Sequence, residues 1–160
     1  MTSNSIYAGT FDPVTLGHMD IIERGAEIFD WVILAVAMET PKDTLFTLKE
    51  RLAMARQVVK HLPNVQVESF NGLLVNYAKE KRVCVLLRGL RAYSDFEYEF
   101  QMALTNRKLA PEIETLFMMP NELHSYVSSS TVREVARLGG DTSGFVPAVV
   151  HRAIQKKLSR

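Results

Sequence analysis

The sequence predicts an α/β fold in which a parallel sheet of five strands carries helices on both faces. Short apolar segments alternate with amphipathic segments along almost all of the 160 residues, as they do where crossover helices join parallel strands. Apolar residues make up 47% of the chain, which is enough for a sizeable core. No repeat, low-complexity segment or linker divides the sequence, so we expect a single domain spanning 1–160.

The predicted strands are segments in which apolar residues run together or alternate with polar ones. The second segment is almost wholly apolar, and we expect it to be buried on both faces of the sheet. In chain order the predicted strands are 6–8, 31–38, 65–69, 83–87 and 113–119.

The predicted helices follow from apolar residues at helical spacing, as in 19–29, and from start and stop signals. Thr47 with Glu50, and Thr131 with Glu134, match the pattern of a capping box. The predicted helices are 19–29, 47–61, 73–81, 94–109, a segment from 128 to the glycines at 139 and 140, and 147–158.

Charge and cysteine content narrow the class of protein. The formal net charge is +1, so nothing indicates a nucleic acid or a membrane surface as a partner. The N-terminus has no secretory pattern, and no apolar run is long enough to span a bilayer. The single cysteine, Cys84, lies in the apolar run 83–87, and we expect it to be a small core residue. Together these features predict a cytoplasmic protein.

The stretch Gly-Thr-Phe-Asp-Pro-Val-Thr-Leu-Gly-His, residues 9–18, joins the first predicted strand to the first helix. Turns of this kind bind phosphate, because free amides at a helix start favour negative charge. Gly9 and Gly17 let the backbone come close to a ligand, and His18 places an imidazole at the helix start. The glycine spacing is neither that of the dinucleotide fingerprint nor that of the P-loop. The alternative is that His18 only caps or packs, but its setting with Thr10 and Gly17 favours phosphate binding.

The strand order predicts where a ligand binds. If the order is 3-2-1-4-5, as in a Rossmann-like domain, the crevice lies beyond the carboxyl ends of the first and fourth strands. Those strands end at 9–18 and at Arg-Gly-Leu-Arg, residues 88–91. The crevice would then collect hydroxyl, imidazole and cationic groups that can bind several phosphates. The expected members are Thr10, His18, Lys42, Arg88 and Arg91.

Each of these assignments has an alternative. Arg88 and Arg91 could form surface ion pairs on a solvated loop, and a loop lysine such as Lys42 is commonly just exposed. Serines 128–130 could serve only to cap a helix, although capping needs a single hydroxyl. The run of hydroxyls instead suits a second phosphate site. We find neither a metal cage of His and carboxylates nor a Gly-x-Ser-x-Gly elbow in the sequence.

Five motifs resemble those of the bacterial phosphopantetheine adenylyltransferases, which are nucleotidyltransferases. They are Gly-Thr-Phe-Asp-Pro (9–13), Thr-Leu-Gly-His (15–18), Arg-Gly-Leu-Arg (88–91), Asp-Phe-Glu-Tyr-Glu (95–99) and Ser-Ser-Ser (128–130). The resemblance covers nearly the whole chain. It implies transfer of AMP from ATP to 4′-phosphopantetheine, giving dephospho-coenzyme A and pyrophosphate. It further implies magnesium, bound mainly through the ATP phosphates, and a homohexamer.

The resemblance also implies the site residues. Two departures are visible, because Ala8 stands where members often have proline and His124 where an aromatic residue is common. The implied ATP-binding residues are Thr10, Phe11, His18, Gly89, Leu90, Arg91, Glu99, His124, Ser125, Tyr126, Val127, Ser128, Ser129 and Ser130. The implied acceptor-binding residues are Thr10, Lys42, Leu74 and Arg88.

The residues also support a catalytic scheme by themselves. A phosphate monoester acceptor is already ionised near neutral pH, so it needs neither a general base nor a covalent intermediate. Lys42, Arg88 and Arg91 would offset the repulsion between two polyanions, and His18 would donate to the α-phosphate as charge grows there. We therefore assign catalysis to His18, Lys42 and Arg91.

The acceptor arm has a predicted slot, formed by residues on two helices. Met102 and Asn106 share one face of the long helix, with Leu109 further along it. Leu73 and Leu74 begin another helix near the same strand ends. Asn106 would bind an amide of the arm, although the apolar residues could equally be core. Two rival functions remain: another nucleotidyltransferase using CTP or a nicotinate mononucleotide acceptor, and a catalytically silent nucleotide-binding module.

Overall fold

A computed structural model describes residues 3–40, 43–91 and 93–159, with the side chains of residues 93 and 94 outside the description. Five parallel strands form one sheet: β1 (Asn4–Gly9), β2 (Trp31–Ala37), β3 (Val65–Phe70), β4 (Val85–Gly89) and β5 (Glu114–Met118). Their order is β3-β2-β1-β4-β5, which confirms the predicted strand order. β1 is therefore central, with Tyr7 opposite Leu34 of β2 and Leu87 of β4.

Six α-helices connect or follow the strands. They are α1 (Leu16–Ile28), α2 (Leu48–Val59), α3 (Leu74–Lys81), α4 (Tyr93–Leu109), α5 (Ser129–Arg137) and α6 (Ala148–Leu158), and a short 3-10 helix covers Glu122–His124. Within the described ranges, no helix is both long and apolar enough to cross a membrane.

The core lies on both faces of the sheet because successive side chains of a strand point to opposite sides. Tyr7 belongs to a cluster with Ile22 of α1 and Val132 of α5. Its neighbours on β1, Ile6 and Ala8, belong to a second cluster with residues of α3. Helices thus cover both faces, as the sequence predicts.

Two burial predictions are wrong at the ends of strands. Trp31 and Met38 are 49% and 46% exposed, so burial on both faces holds only for the middle of the second predicted strand. Cys84 is exposed, because β4 begins one residue later and Cys84 lies in the connection before it. It is not a core residue.

The capping boxes differ in part from those expected. Thr47 and Glu50 form one, as predicted. The box predicted for Thr131 and Glu134 is wrong, because Ser128 is the N-cap of α5 and accepts a hydrogen bond from the Thr131 amide. A further box, not predicted, joins Thr15 and His18 at the start of α1.

Candidate active site

A cleft of about 690 Å³ opens at the carboxyl ends of β1 and β4, where the strand order places the crevice. The loops after β1, β2 and β4, a face of α4 and the start of α5 surround it. The predicted site residues that line it are Thr10, Phe11, His18, Arg88, Gly89, Arg91, Glu99, Ser125, Tyr126, Val127, Ser128, Ser129 and Ser130. Lys42 lies outside the described residues.

His18 is held at the start of α1 by hydrogen bonds to its backbone amide and to its imidazole ring. Its amide donates to Thr15 Oγ1 over 3.2 Å, and its Nδ1 accepts from the Thr15 amide over 3.0 Å. Since an amide N–H can only donate, Nδ1 carries no proton, and the proton of the neutral ring is on Nε2. His18 therefore caps the helix and also presents a fixed donor from a ring that lines the cleft.

The charge state of His18 follows from its surroundings. The ring is partly buried and meets the Phe11 ring edge-on, with 4.9 Å between the ring centres. Burial, followed by the charges of Arg91 and Arg88, lowers the pKa of His18 to about 3. The imidazole is neutral near pH 7, so it can donate a hydrogen bond and cannot serve as a cation.

Gly17 allows close packing at the start of α1. A Cβ on Gly17 would lie 3.3 Å from the carbonyl oxygen of His124. The glycine thus lets the segment before α5 pack against the helix start that carries His18. The sequence predicts that Gly17 lets the backbone come close to a ligand, whereas the atom nearest to this position in the structure is a carbonyl oxygen of the protein.

Arg88 is bound within the wall of the cleft and does not lie free on a solvated loop. Its Nε donates to Glu99 Oε2 over 2.8 Å and its Nη2 to Glu99 Oε1 over 2.6 Å, and its Nη1 donates to the Ala8 carbonyl over 2.8 Å. This two-point pairing fixes the planes of both groups. The pair is neutral overall, so Arg88 offers less net positive charge to a phosphate than its sequence position suggests.

Arg91 is more open. It is exposed, and its Nε donates to Asp95 Oδ2 over 2.9 Å. Among the described residues, neither of its Nη groups has a hydrogen-bond partner. Arg91 is therefore able to bind phosphate oxygens through these groups while Asp95 holds the rest of the guanidinium.

The three serines at the start of α5 make three different contacts. Ser128 caps the helix, the Ser129 hydroxyl donates to the Pro13 carbonyl over 2.8 Å, and Ser130 Oγ accepts from Arg133 over 3.2 Å. The serine segment is thus tied to the loop after β1. All three serines line the cleft beside the start of α5, where a second phosphate site was expected.

Four other predicted residues do not line the cleft: Leu74, Leu90, Asn106 and His124. The slot predicted for the acceptor arm is open, since Leu73, Met102 and Leu109 are 56%, 38% and 49% exposed. Leu74, the first residue of α3, instead packs against the core cluster that contains Ile6 and Ala8 of β1.

His124 and Leu90 have other positions. His124 faces a separate cleft of about 390 Å³ on the other side of α1. The Leu90 amide donates to the Met118 carbonyl over 3.0 Å and so extends the pairing of β4 with β5.

Sequence reasoning missed three charged residues that shape the site: Asp12, Arg51 and Arg133. Asp12 is buried and accepts from the amides of Leu45 and Phe46. Asp12 belongs to the motif Gly-Thr-Phe-Asp-Pro (9–13), and its position before a proline in a turn is the signal that could have identified it as a site residue. Arg51 and Arg133 lie on ordinary helical segments, where nothing in the sequence distinguishes them from exposed arginines.

Comparison with known proteins agrees with this geometry. The family model described as "Cytidylyltransferase-like" matches residues 6–135. A solved structure described as "a Putative Nicotinate-nucleotide Adenylyltransferase" from Vibrio parahaemolyticus superposes with a TM-score of 0.71, covering 96% of this chain and 99% of that one. The two chains are 18% identical, so this likeness concerns the fold.

Curated relatives are much closer in sequence, and three of them are named phosphopantetheine adenylyltransferase. The relative from Methylacidiphilum infernorum is 52% identical over 97% of this chain and 91% of its own length. Those from Alkaliphilus metalliredigens and Methylococcus capsulatus are each 54% identical, covering 95% and 99% of this chain and 97% and 98% of their own lengths. The chain therefore belongs to the cytidylyltransferase-like family and, within it, to the phosphopantetheine adenylyltransferases.

Proposed function

We propose that the cleft transfers AMP from ATP to 4′-phosphopantetheine by direct in-line attack, with His18 stabilising the transition state. The products are dephospho-coenzyme A and pyrophosphate, a step of coenzyme A biosynthesis. The observation that carries the catalytic assignment is the capping box of α1. It fixes a neutral imidazole whose Nε2–H has no hydrogen-bond partner among the residues that the structure describes and so can meet the oxygens of the α-phosphate.

The acceptor needs no base in this scheme. A phosphate monoester loses its second proton near pH 6, so it is already a nucleophile at neutral pH. The enzyme's task is to hold two polyanions close together and in line. Arg91, through its Nη groups, and Lys42, assigned from the sequence, would offset their repulsion. The Arg88–Glu99 pair would then orient the acceptor phosphate more than it would neutralise it.

ATP would lie between the loop after β1 and the start of α5. The amides at the start of α5 and the hydroxyls of Ser129 and Ser130 suit the phosphates of ATP. Thr10, Gly89 and Arg91 would contact the nucleotide from the opposite side of the cleft. His124 would act only indirectly, through the packing of its carbonyl oxygen beside Gly17, because the residue lines the smaller cleft.

Magnesium would enter with ATP. Three carboxylates of the cleft wall already have partners: Asp12 binds two amides, Glu99 binds Arg88 and Asp95 binds Arg91. Within the described residues, no group of three or more His, Cys, Asp or Glu side chains is arranged to hold a metal ion. The site thus fits a metal held mainly by the ATP phosphates, where the ion would neutralise charge on the departing pyrophosphate.

Assembly and location belong to the same proposal. We expect a homohexamer in the cytoplasm, in line with the family resemblance. Helix α4 supports an assembly, since its stacked aromatic side chains Phe96 and Phe100 are 51% and 48% exposed and lie outside the cleft lining. Apolar surface of this extent on one element is typical of a surface that is covered by another protein chain.

The activity is tested by measuring pyrophosphate release with each pair of donor and acceptor. Donors are ATP and CTP, and acceptors are 4′-phosphopantetheine, nicotinate mononucleotide and glycerol 3-phosphate. We expect ATP with 4′-phosphopantetheine to be far faster than every other pair. Comparable rates with the small acceptors would contradict the proposed acceptor, and absence of release with every pair would indicate a silent nucleotide-binding module.

A further inference from the structure

Two loops beside the cleft lie beyond the last paired residues of the sheet. β1 ends at Gly9, opposite Val36 of β2, and β2 ends at Ala37. The loop after β1 carries Thr10 and leads into α1, whose first turn carries His18. The loop after β2 contributes Thr40, Asp43 and Thr44 to the cleft. Because the sheet ladder does not reach these loops, other bonds must fix their separation.

Arg51 provides the first of these bonds. It projects from α2 and is only 2% exposed. Its Nη1 donates to the Thr10 carbonyl over 2.8 Å and to the Ala37 carbonyl over 2.9 Å. One guanidinium nitrogen therefore joins the ends of the two strands. Its Nε is buried and has no hydrogen-bond partner in the described structure, so burying this residue is costly.

Asp12 provides a second, independent link between the same loops. Asp12 is 1% exposed, and both oxygens of its carboxylate accept hydrogen bonds from the loop after β2. Oδ2 accepts from the Leu45 amide over 2.8 Å, and Oδ1 accepts from the Phe46 amide over 2.9 Å. Bonds from neutral donors to a buried carboxylate are short and strong.

The main chain at Asp12 has bonds of its own, in addition to an ion pair in which Arg133 Nη1 lies 3.6 Å from Asp12 Oδ2. Arg133 of α5 donates to the Asp12 carbonyl over 2.6 Å, and the Ser129 hydroxyl donates to the neighbouring Pro13 carbonyl over 2.8 Å. These bonds tie Asp12 to the side of the cleft where the serines lie. A change confined to the carboxylate removes the longer ion pair with Arg133 but keeps these two shorter bonds, so it should move the loop after β2 more than the serine side.

We propose that Asp12 and Arg51 are positioning residues that set the place of the loop after β2 relative to Thr10 and His18. This inference rests on the proposed function, in which the serine side holds ATP, and on the family resemblance, which implies that Lys42 of that loop meets the acceptor. In-line attack requires the acceptor oxygen within about 3–3.5 Å of the α-phosphorus, and a shift of about 1 Å can cost on the order of a hundredfold in rate. Neither residue needs to touch a substrate to have this effect.

Asp12→Asn is the sharpest test because it preserves shape. The amide nitrogen of Asn would face a backbone N–H, so one of the bonds to Leu45 and Phe46 must be lost. We expect KM for 4′-phosphopantetheine to rise about tenfold, KM for ATP to stay within about twofold, and hydrogen exchange of the Leu45 and Phe46 amides to accelerate. Arg51→Met should likewise raise KM for 4′-phosphopantetheine while leaving KM for ATP almost unchanged. Arg51→Lys should recover much of the loss, because an ammonium can also donate to two carbonyls.

Asn64→Ala is the matched control. Asn64 Nδ2 also donates to two carbonyls, those of Ala26 and Phe29, over 2.8 and 3.1 Å, but outside the cleft lining. The Asn64→Ala change should lower the free energy of unfolding and leave the KM values for ATP and 4′-phosphopantetheine unchanged. The positioning role is overturned if Asp12→Asn and Arg51→Met behave like this control, or if they raise both KM values equally.

The two proposals fail in different ways. If the unaltered protein does not use 4′-phosphopantetheine, the proposed function fails, and amide exchange at Leu45 and Phe46 still decides the link between the loops. Unaccelerated exchange in Asp12→Asn overturns that link whatever the substrate. Should Asp12→Asn fail to fold, the comparison of Arg51→Met with Arg51→Lys decides the question by the same KM criterion.

Discussion

At the scale of single residues, His18 shows how one side chain can serve both structure and chemistry. Its amide and Nδ1 complete the capping box with Thr15, and the same bonds leave Nε2 as the ring's donor. The structural and catalytic interpretations of this histidine are therefore compatible. Capping selects the tautomer that transition-state stabilisation requires.

Replacing His18 tests this assignment. We expect His18→Ala to lower kcat and kcat/KM together by about a hundredfold, with little change in KM for ATP, because the lost donor acts only in the transition state. Since the pKa of His18 is about 3, the ring is neutral at pH 6 and at pH 8, and the factor lost should be the same at both. Near-normal turnover would contradict the catalytic role, and a much smaller factor at pH 6 would contradict the neutral ring.

At the scale of elements, the sequence predicts most of the fold because the apolar pattern is strong. All five strands and six helices are present, and the strand order is the predicted one. The wrong predictions concern the ends of elements, where the local sequence pattern does not determine which residue comes first. The Thr131–Glu134 pattern forms no capping box, because Ser128 caps α5 one turn earlier. Cys84 reads as part of an apolar run but precedes the first paired residue of β4.

Helix α4 carries the prediction that belongs to this scale. Phe96 and Phe100 stack on its surface with 5.6 Å between ring centres, and Phe100 is 48% exposed. Light scattering should give about six times the chain mass of 18.1 kDa. Phe100→Glu should reduce that mass, since burying a lone carboxylate in an interface is unfavourable.

A second exposed residue provides the control for α4. Leu138 is 81% exposed and lies just after α5, so Leu138→Glu makes the same chemical change elsewhere. It should leave the assembly intact. A monomeric unaltered protein, or equal loss of mass in both variants, would contradict an interface on α4.

At the scale of the whole molecule, the site is predictable where topology decides and unpredictable where distant side chains meet. The parallel sheet brings the loop after β1 to the loop after β4, so Thr10, His18, Arg88 and Arg91 could be grouped from the sequence. The pairing of Arg88 with Glu99, and the bonds of Arg51 and Arg133 to loop carbonyls, depend on how helices pack on the sheet. Their helical periodicity does not encode those partners.

The central claim is a single in-line displacement at the α-phosphorus of ATP, without a covalent enzyme intermediate. It is tested by giving the enzyme ATP that carries sulfur at one non-bridging α-phosphate position in one configuration, with 4′-phosphopantetheine as acceptor. The configuration at phosphorus in the dephospho-coenzyme A product is then assigned by phosphorus NMR. One displacement inverts phosphorus, so we predict inversion. Retention would mean two successive displacements through an adenylylated side chain and would contradict the direct attack proposed for this cleft.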